Sequence, residues 1–343
     1  MGRFSGSKQI HVDPLPRSDT IATSSVYGRA SLKVATTMVF YAPAKVNLYL
    51  ELLARLSSGY HSLDTVMATV SWYDTLVFEP PRSAPDALEL VVVDHGSPRS
   101  AADAIPTDET NLVLKALLAL RQQSQETGVV DDRALGARVT LIKRIASQAG
   151  LGGGSSDAAT ALMGANEFWR LGLNRQALQP IAANLGSDVA FFLTGGLARC
   201  RSRGEVVEPL GFHADLVMVI VKPPVGLSTA EVYRRCTVAA EPGNGDQICQ
   251  ALRSQSARRV GQQLFNRLEA PAREMTDWVD RLSNVFERTG SLGWQLSGSG
   301  SACFGIYPTW TAARRAAHRL KQEAEMGVQV VRTVRSGCTA ARA

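Results

Sequence analysis

Residues 150–159 read Gly-Leu-Gly-Gly-Gly-Ser-Ser-Asp-Ala-Ala, with glycine at four of the first five positions. Without a β-carbon, glycine lets backbone N–H groups turn inward and approach a ligand closely. Ser155, Ser156 or Asp157 is placed to cap the helix that Ala158 to Met163 would continue. A glycine loop opening a helix gathers free N–H groups and the positive end of the helix dipole at one point. That is an anion site, and over a loop this long the expected anion is a phosphate chain. The common phosphate motifs do not fit: the chain has no Gly-Lys pair, and the last glycine of a dinucleotide fingerprint counted from Gly152 falls on Asp157. A plain connector is the competing reading. Apolar Val139-Thr140-Leu141-Ile142 before the loop and a good helix after it are unusual neighbours for a linker.

A chain of 343 residues has room for two domains at about 150 residues each. Its net charge of +6 would hint at nucleic acid if it were spread over the body. It is not. Arg3, Lys8, Arg17, Arg29 and Lys33 against Asp13 and Asp19 leave +3 on residues 1–37, and Arg332, Arg335 and Arg342 place another +3 at the end. The body is formally neutral, so no nucleic-acid partner is expected. Five cysteines without Cys-x-x-Cys spacing, and no His-x-x-x-His, argue against a zinc site; no metal-binding residue is expected. Free thiols in a reducing cytoplasm are the simplest reading. No stretch approaches the ~20 apolar residues of a membrane span, so no membrane partner is expected.

Residues 1–37 are polar and rich in Ser and Thr, and are expected to be a disordered extension. A bacterial tail or an upstream start is favoured over an organelle transit peptide. Residues 38–56 are expected as a strand pair interrupted at Pro43, with Lys45 and Asn47 as polar residues on one face of an apolar run. A lysine there can equally be an edge residue with its head in solvent. A turn at 57–59 precedes Tyr60-His61, and 65–79 read as a second strand pair turning at Tyr73-Asp74. Asp108 or Thr110 is expected to cap a helix from Asn111 to about 125. After the glycine-loop helix, Asn174 caps a shorter one. Asp188 then stands between the small-residue turn 186–187 and a very apolar run, as a cap or as a partly buried acid. Strands are expected at 205–210 and 215–221, and a helix capped by Ser228 or Thr229 through Tyr233. Further helices are expected near 247–254, 258–267 and 273–289, and then a second small-residue loop, Ser297-Gly298-Ser299-Gly300-Ser301. A helix to about 325 and a strand at 328–334 close an α+β sandwich.

Three stretches thus stand in fixed order: Pro43-Ala44-Lys45-Val46-Asn47, the glycine loop to Asp157, and Ser297 to Ser301. Together they resemble the three motifs of the GHMP small-molecule kinases, over about residues 38–310. Gly59-Tyr60-His61 and Leu185-Gly186-Ser187-Asp188-Val189 resemble the branch whose acceptor is a cytidyl-diphosphate ester of methylerythritol. The resemblance implies an α+β, two-domain GHMP kinase fold. Residues 38–199 would form an α/β domain like domain 2 of ribosomal protein S5, carrying the ATP-binding glycine loop. Residues 200–335 would form a ferredoxin-like α+β domain, and 336–343 a tail. It implies transfer of the γ-phosphate of ATP, carried with Mg²⁺, to the 2-hydroxyl of the methylerythritol moiety in the non-mevalonate route to isoprenoids.

The resemblance also assigns residues. Asp188 matches the catalytic aspartate, the base that a poorly nucleophilic tertiary alcohol needs, and Lys45 matches its partner lysine, which offsets developing negative charge. Ala146, Ser147, Gln148, Ala149, Gly150, Leu151, Gly152, Gly153, Gly154, Ser155 and Ser156 would wrap the ATP phosphates, with the helix beginning near Ser156. Asn111 and Lys143 match contacts to the nucleoside part of ATP. Asn47, Tyr60, His61 and Tyr233 match the site of the cytidyl group, which would stack between the two tyrosines and take its base identity from His61. The implied partner is that small molecule, and the implied state a monomer or weak homodimer. Two departures stand out: Ile145-Ala146 where the family has Ile-Pro, and Ser202-Arg203-Gly204-Glu205 where it has Gly-x-Gly-Glu. The alternatives are a homoserine- or mevalonate-type kinase of the same fold, a GHMP-fold regulator without turnover, and nucleic-acid binding through the basic tails.

Overall fold

In a computed structural model, residues 37–57, 59–95, 105–128, 135–323 and 326–340 are described. All fall within one unit, Ala35–Ala341. The expected extension 1–37 lies outside them but for residue 37.

Two long strands form the frame: β1 (Met38–Arg55) and β2 (His61–Glu79), antiparallel from Met38↔Phe78 to Arg55↔His61. Each was expected as a pair of strands and is one. The ladder slips between Pro43 and Ala44, where Val70 and Tyr73 are consecutive partners, and that bulge accommodates the missing proline N–H. The first half continues with β3 (Leu88–Asp94), α1 (Leu112–Glu126), β4 (Ala137–Lys143), α2 (Gly153–Phe168), α3 (Arg175–Leu185), α4 (Ser187–Thr194), β5 (Leu197–Ser202) and β6 (Val206–Pro209). The main path of the sheet runs β4 between β2 and β3, with β3 parallel to β4 and β5–β6 extending from β2. The boundary expected at 199/200 therefore falls inside β5, because this sheet runs on to Pro209. The helices cover one face: Phe40, Leu76 and Phe78 pack with Val113, Leu117, Leu162 and Phe191 in one core.

The second half contains β7 (Val217–Lys222), α5 (Thr229–Arg235), α6 (Asp246–Arg253), α7 (Ala257–Gln262), β8 (Phe265–Asn266), α8 (Glu269–Met275), α9 (Trp278–Arg288), β9 (Gly293–Leu296), β10 (Cys303–Tyr307), α10 (Trp310–Glu323), β11 (Gly327–Arg332) and β12 (Thr339–Ala340). Its sheet is antiparallel in the order β11-β7-β10-β9. Helices join first to second and third to fourth strand, which is the βαββαβ ferredoxin-like arrangement. Val217-Met218-Val219-Ile220-Val221 lacks the usual polar alternation because this sheet is buried on both faces. Met218 and Ile220 enter a core shared with Ala44, Val46 and Val66 of the first sheet, while Val219 and Val221 face Phe286 and Leu320.

Three expected elements differ. The helix at 258–267 stops at Gln262, and Phe265–Asn266 instead pairs parallel with β1 at Tyr49–Leu50. The helix at 273–289 is two, α8 and α9. The tail is not loose: Thr339–Ala340 pairs with Tyr41 and Phe40, and Cys338 is buried. Gly337 packs so closely that an added β-carbon would lie 2.0 Å from the Phe192 carbonyl oxygen. Residues 341–343 lie outside the described residues.

Candidate active site

A cleft of about 1210 Å³ opens between the ends of β1 and β2, the starts of α2, α4 and α5, and the Ser297–Ser301 turn. Residues 146–155 form one wall. Gln148, Gly150 and Gly152 all take left-handed φ angles of 50°, 71° and 68°. At Gly150 glycine is required twice over, since a β-carbon would also lie 1.8 Å from the Ser297 carbonyl oxygen. The loop is clamped from both sides. Lys45 N donates to Leu151 O at 3.0 Å, Ala302 N to Ala149 O at 3.1 Å, and Ser297 Oγ to Gly150 O at 2.9 Å.

Helix α2 begins at Gly153, three residues before the expected start, with Gly152 as its N-cap and no side-chain cap. Its first-turn N–H groups have no helical acceptor, and the glycines leave them approachable from the cleft. Ser155 lines the cleft. Ser156 does not: it is fully buried, and its hydroxyl has no hydrogen-bond partner. None of the three residues expected to cap the helix does so.

Lys45 is not an edge lysine. It is 4% exposed in the middle of β1, and its Nζ lies 3.4 Å from Asp188 Oδ2 and donates to Asn47 Oδ1 at 2.6 Å. Asn47 Nδ2 donates to Thr65 Oγ1 at 2.9 Å, and that hydroxyl donates to Tyr49 O at 2.6 Å. Asn47 thus holds Lys45 in place, and Thr65, which the sequence did not single out, anchors Asn47. Asp188 sits in the first turn of α4 behind the extended N-cap Gly186, and its carboxylate is about one-third exposed, facing the cleft.

At the other end of the cleft the Tyr233 ring lies against His61, centroids 5.7 Å apart at 40°. Burial, aided by the charge of Arg55, lowers the His61 pKa and favours the neutral imidazole. Burial, with the charge of Asp188 adding to it, raises the Tyr233 pKa. Tyr60 is 62% exposed. Behind the Ser297–Ser301 turn, Asn266 Nδ2 donates to Leu296 O at 2.9 Å and Gly298 O at 2.7 Å. An isolated asparagine at a two-residue strand carries no sequence signal for that.

Two residues assigned to the ATP nucleoside are engaged elsewhere. Asn111 is the N-cap of α1: it accepts from Val113 N at 2.9 Å and donates to Pro106 O at 2.6 Å. Leu112, not Asn111, lines the cleft. Lys143 reaches the cleft floor but is 3% exposed, donating to Asp157 Oδ2 at 2.6 Å and to Asp74 Oδ2. A β-carbon on Gly153 would lie 3.2 Å from its Nζ, so this ammonium stands directly under the start of α2. Burial disfavours the charge on Lys143, but its two carboxylates outweigh that and hold its pKa up. Burial pushes Asp157 up to about 7 against the pull of Lys143, and the charge of Asp74 adds to the rise.

The profile of the GHMP kinases N terminal domain matches residues 111–196, and that of the GHMP kinases C terminal matches 248–325. A protein of Pelotomaculum thermopropionicum named 4-diphosphocytidyl-2-C-methyl-D-erythritol kinase is 38% identical over 85% of this chain and 96% of its own. The chain belongs to the 4-diphosphocytidyl-2-C-methyl-D-erythritol kinase family of the GHMP kinases. A second member, from Carboxydothermus hydrogenoformans, is 35% identical over 82% of this chain and 93% of its own. A crystal structure of 4-(cytidine 5'-diphospho)-2C-methyl-D-erythritol kinase superposes with a TM-score of 0.67 at 31% identity, covering 86% of this chain and 99% of that one. A homoserine kinase of Cytophaga hutchinsonii also reaches 0.67, at 18% identity over 92% of this chain and all of that one, and shares the fold alone. The two-domain GHMP kinase fold read from the three motifs is therefore the fold of this chain. Among the described residues no helix is long and apolar enough to cross a membrane, and all five cysteines are free.

Proposed function

We propose that this chain transfers the γ-phosphate of ATP to the 2-hydroxyl of 4-diphosphocytidyl-2-C-methyl-D-erythritol, the step of its family in making isoprenoid precursors, and that it works in the cytoplasm. The observation that carries the reading is the Lys45–Asp188 pair, 3.4 Å apart, in one cleft with the uncapped start of α2 and with His61 and Tyr233.

Each part has a physical role. The N–H groups of Gly153, Gly154 and Ser155 and the α2 dipole bind the phosphates of ATP. Asp188 accepts the proton of the acceptor hydroxyl, which is how a poor nucleophile becomes reactive. Lys45, held by Asn47, offsets the negative charge that develops on the attacking and transferring oxygens. His61, kept neutral, offers one donor and one acceptor to the cytosine edge, and Tyr60 and Tyr233 offer ring faces. Among the described residues no three His, Cys, Asp or Glu side chains gather to hold a metal, and Asp188 is the one carboxylate lining the cleft. Mg²⁺ would be carried on the ATP phosphates and would supply charge neutralisation there, next to Ser155 in the cleft lining.

Phosphorus NMR tests the reading. With ATP, Mg²⁺ and the cytidyl acceptor, one new phosphomonoester signal should grow while the acceptor's diphosphate signals persist. Release of inorganic phosphate without that monoester would contradict it.

A further inference from the structure

Arg55 and Arg203 line the cleft, and the chemistry above uses neither. The other cations of the lining are already matched. Lys45 faces Asp188, Lys143 is shared by Asp74 and Asp157, and Arg234 is held by Glu231 at 2.6 Å. Arg55 has no ion pair among the described residues. The nearest carboxylate to Arg203, that of Glu205, is 3.5 Å away, and the same oxygen accepts from Ser202 Oγ at 3.0 Å. Of the cations lining the cleft, Arg55 is therefore without an ion pair among the described residues, and Arg203 has the longest one, its Nε donating to Glu205 Oε1 at 3.5 Å.

Their placement is specific. The Arg203 guanidinium carbon lies 5.7 Å from the centroid of the Tyr60 ring. Gly204, the next residue, stands against Ser187, the neighbour of Asp188; a β-carbon on it would lie 3.2 Å from Ser187 Cβ. The 202–205 turn thus bridges the ring offered to the cytosine and the carboxylate offered to the hydroxyl. In the acceptor, the diphosphate is the link between those same two ends. Arg55 stands opposite His61 in the β1–β2 register, and its charge is felt at that imidazole.

We infer that Arg203, with Arg55 as a second cation, binds the diphosphate bridge of the acceptor. The inference rests on the acceptor proposed above. A guanidinium presents a fork of N–H donors to phosphate oxygens, and its face can lie on an aromatic ring at the same time. Arg203 would then grip the diphosphate and steady Tyr60 for the base. This anion site is separate from the glycine loop that takes the ATP phosphates.

The test measures acceptor kinetics, and the binding of CDP and of cytidine, for the full chain as wild type, R203Q, R203K and R55Q. Binding is read with a saturating non-hydrolysable ATP analogue present, which keeps both probes out of the ATP site. In R203Q, KM for the acceptor should rise about 10- to 100-fold, with kcat and KM for ATP little changed. CDP should weaken by a similar factor and cytidine should not. R203K should recover part of the loss, and R55Q should shift the same readouts by less. Unchanged CDP binding in R203Q, or equal weakening of CDP and cytidine, would overturn the inference; the second result would leave Arg203 acting through Tyr60 alone. A wild type that binds CDP without phosphorylating the acceptor would overturn the substrate reading instead, and the R203Q ratio would still decide whether Arg203 is a diphosphate site.

Discussion

Asp188 and Lys45 stand together because Asp188 opens α4 while Lys45 points out of the middle of β1, and the lysine end of that meeting is fixed by burial and by Asn47. Replacing Asp188 by Asn keeps the shape and removes the base. Turnover should fall by about 10² to 10⁴ while acceptor affinity is little changed, measured by steady-state kinetics beside direct titration. Asp157 carries a pH prediction. Its carboxyl is pushed up to about 7 in the folded chain, against about 3.9 when unfolded. Between those values the folded state keeps a proton that the unfolded chain has released. The stability this group contributes is therefore complete below about pH 4 and declines as pH rises to about 7. Asn at 157 cannot titrate, so the wild-type-minus-variant difference in Tm should fall over that window and level off above it. A difference that does not change with pH would contradict the placement. The residues that the family motifs singled out at this scale, Lys45, Asp188 and His61, do line one cleft. Supporting partners, such as Thr65 on the Asn47 side chain and Asn266 on the Gly298 carbonyl, were not legible, because one polar residue in an apolar stretch looks the same whether it supports a site or a turn.

Among the elements, the glycine loop bears most of the geometry. Its left-handed Gly150 lies where any side chain would collide with the Ser297 carbonyl. Ala at 150 should force the two loops apart, costing about 1–3 kcal/mol in stability and raising KM for ATP; a melt and an ATP titration read both, and unchanged values would contradict the clamp. That this loop opens a helix was readable from its glycines. The start at Gly153 was not, because Ser155, Ser156 and Asp157 look like caps. Asp157 is instead drawn inward to Lys143, a partner on β4 that local sequence does not reveal. The same limit explains β1 and β2. Pro43 and Tyr73-Asp74 carry the marks of strand ends, yet the strands run through them because one bulge absorbs the irregularity of both.

Across the whole molecule, the two sheets are fastened by contacts between distant stretches, and the boundary that the resemblance implied at 199/200 cuts through β5. Strand β8 pairs with β1, and Arg267 grips the buried carboxylate of Glu51 with two bonds of 2.7 Å. Arg267→Ala would leave Glu51 buried and unpaired. Because the arginine is itself 30% exposed, the cost should sit near the low end for a buried pair, about 3 kcal/mol by urea unfolding. A loss of about 1 kcal/mol or less would mark the pair as a surface one. The closing strand β12, expected only as part of a tail, belongs to the same fastening, since it returns to β1 beside the packing of α4. The most direct measurement for the molecule as a whole is ATP consumption by the purified chain with Mg²⁺ and each of four additions: the cytidyl-diphosphate methylerythritol acceptor, homoserine, mevalonate, or no acceptor. Turnover with the cytidyl compound alone is the expected result. Equal or faster turnover with homoserine or mevalonate, or none with any of them from protein that binds ATP, would contradict it.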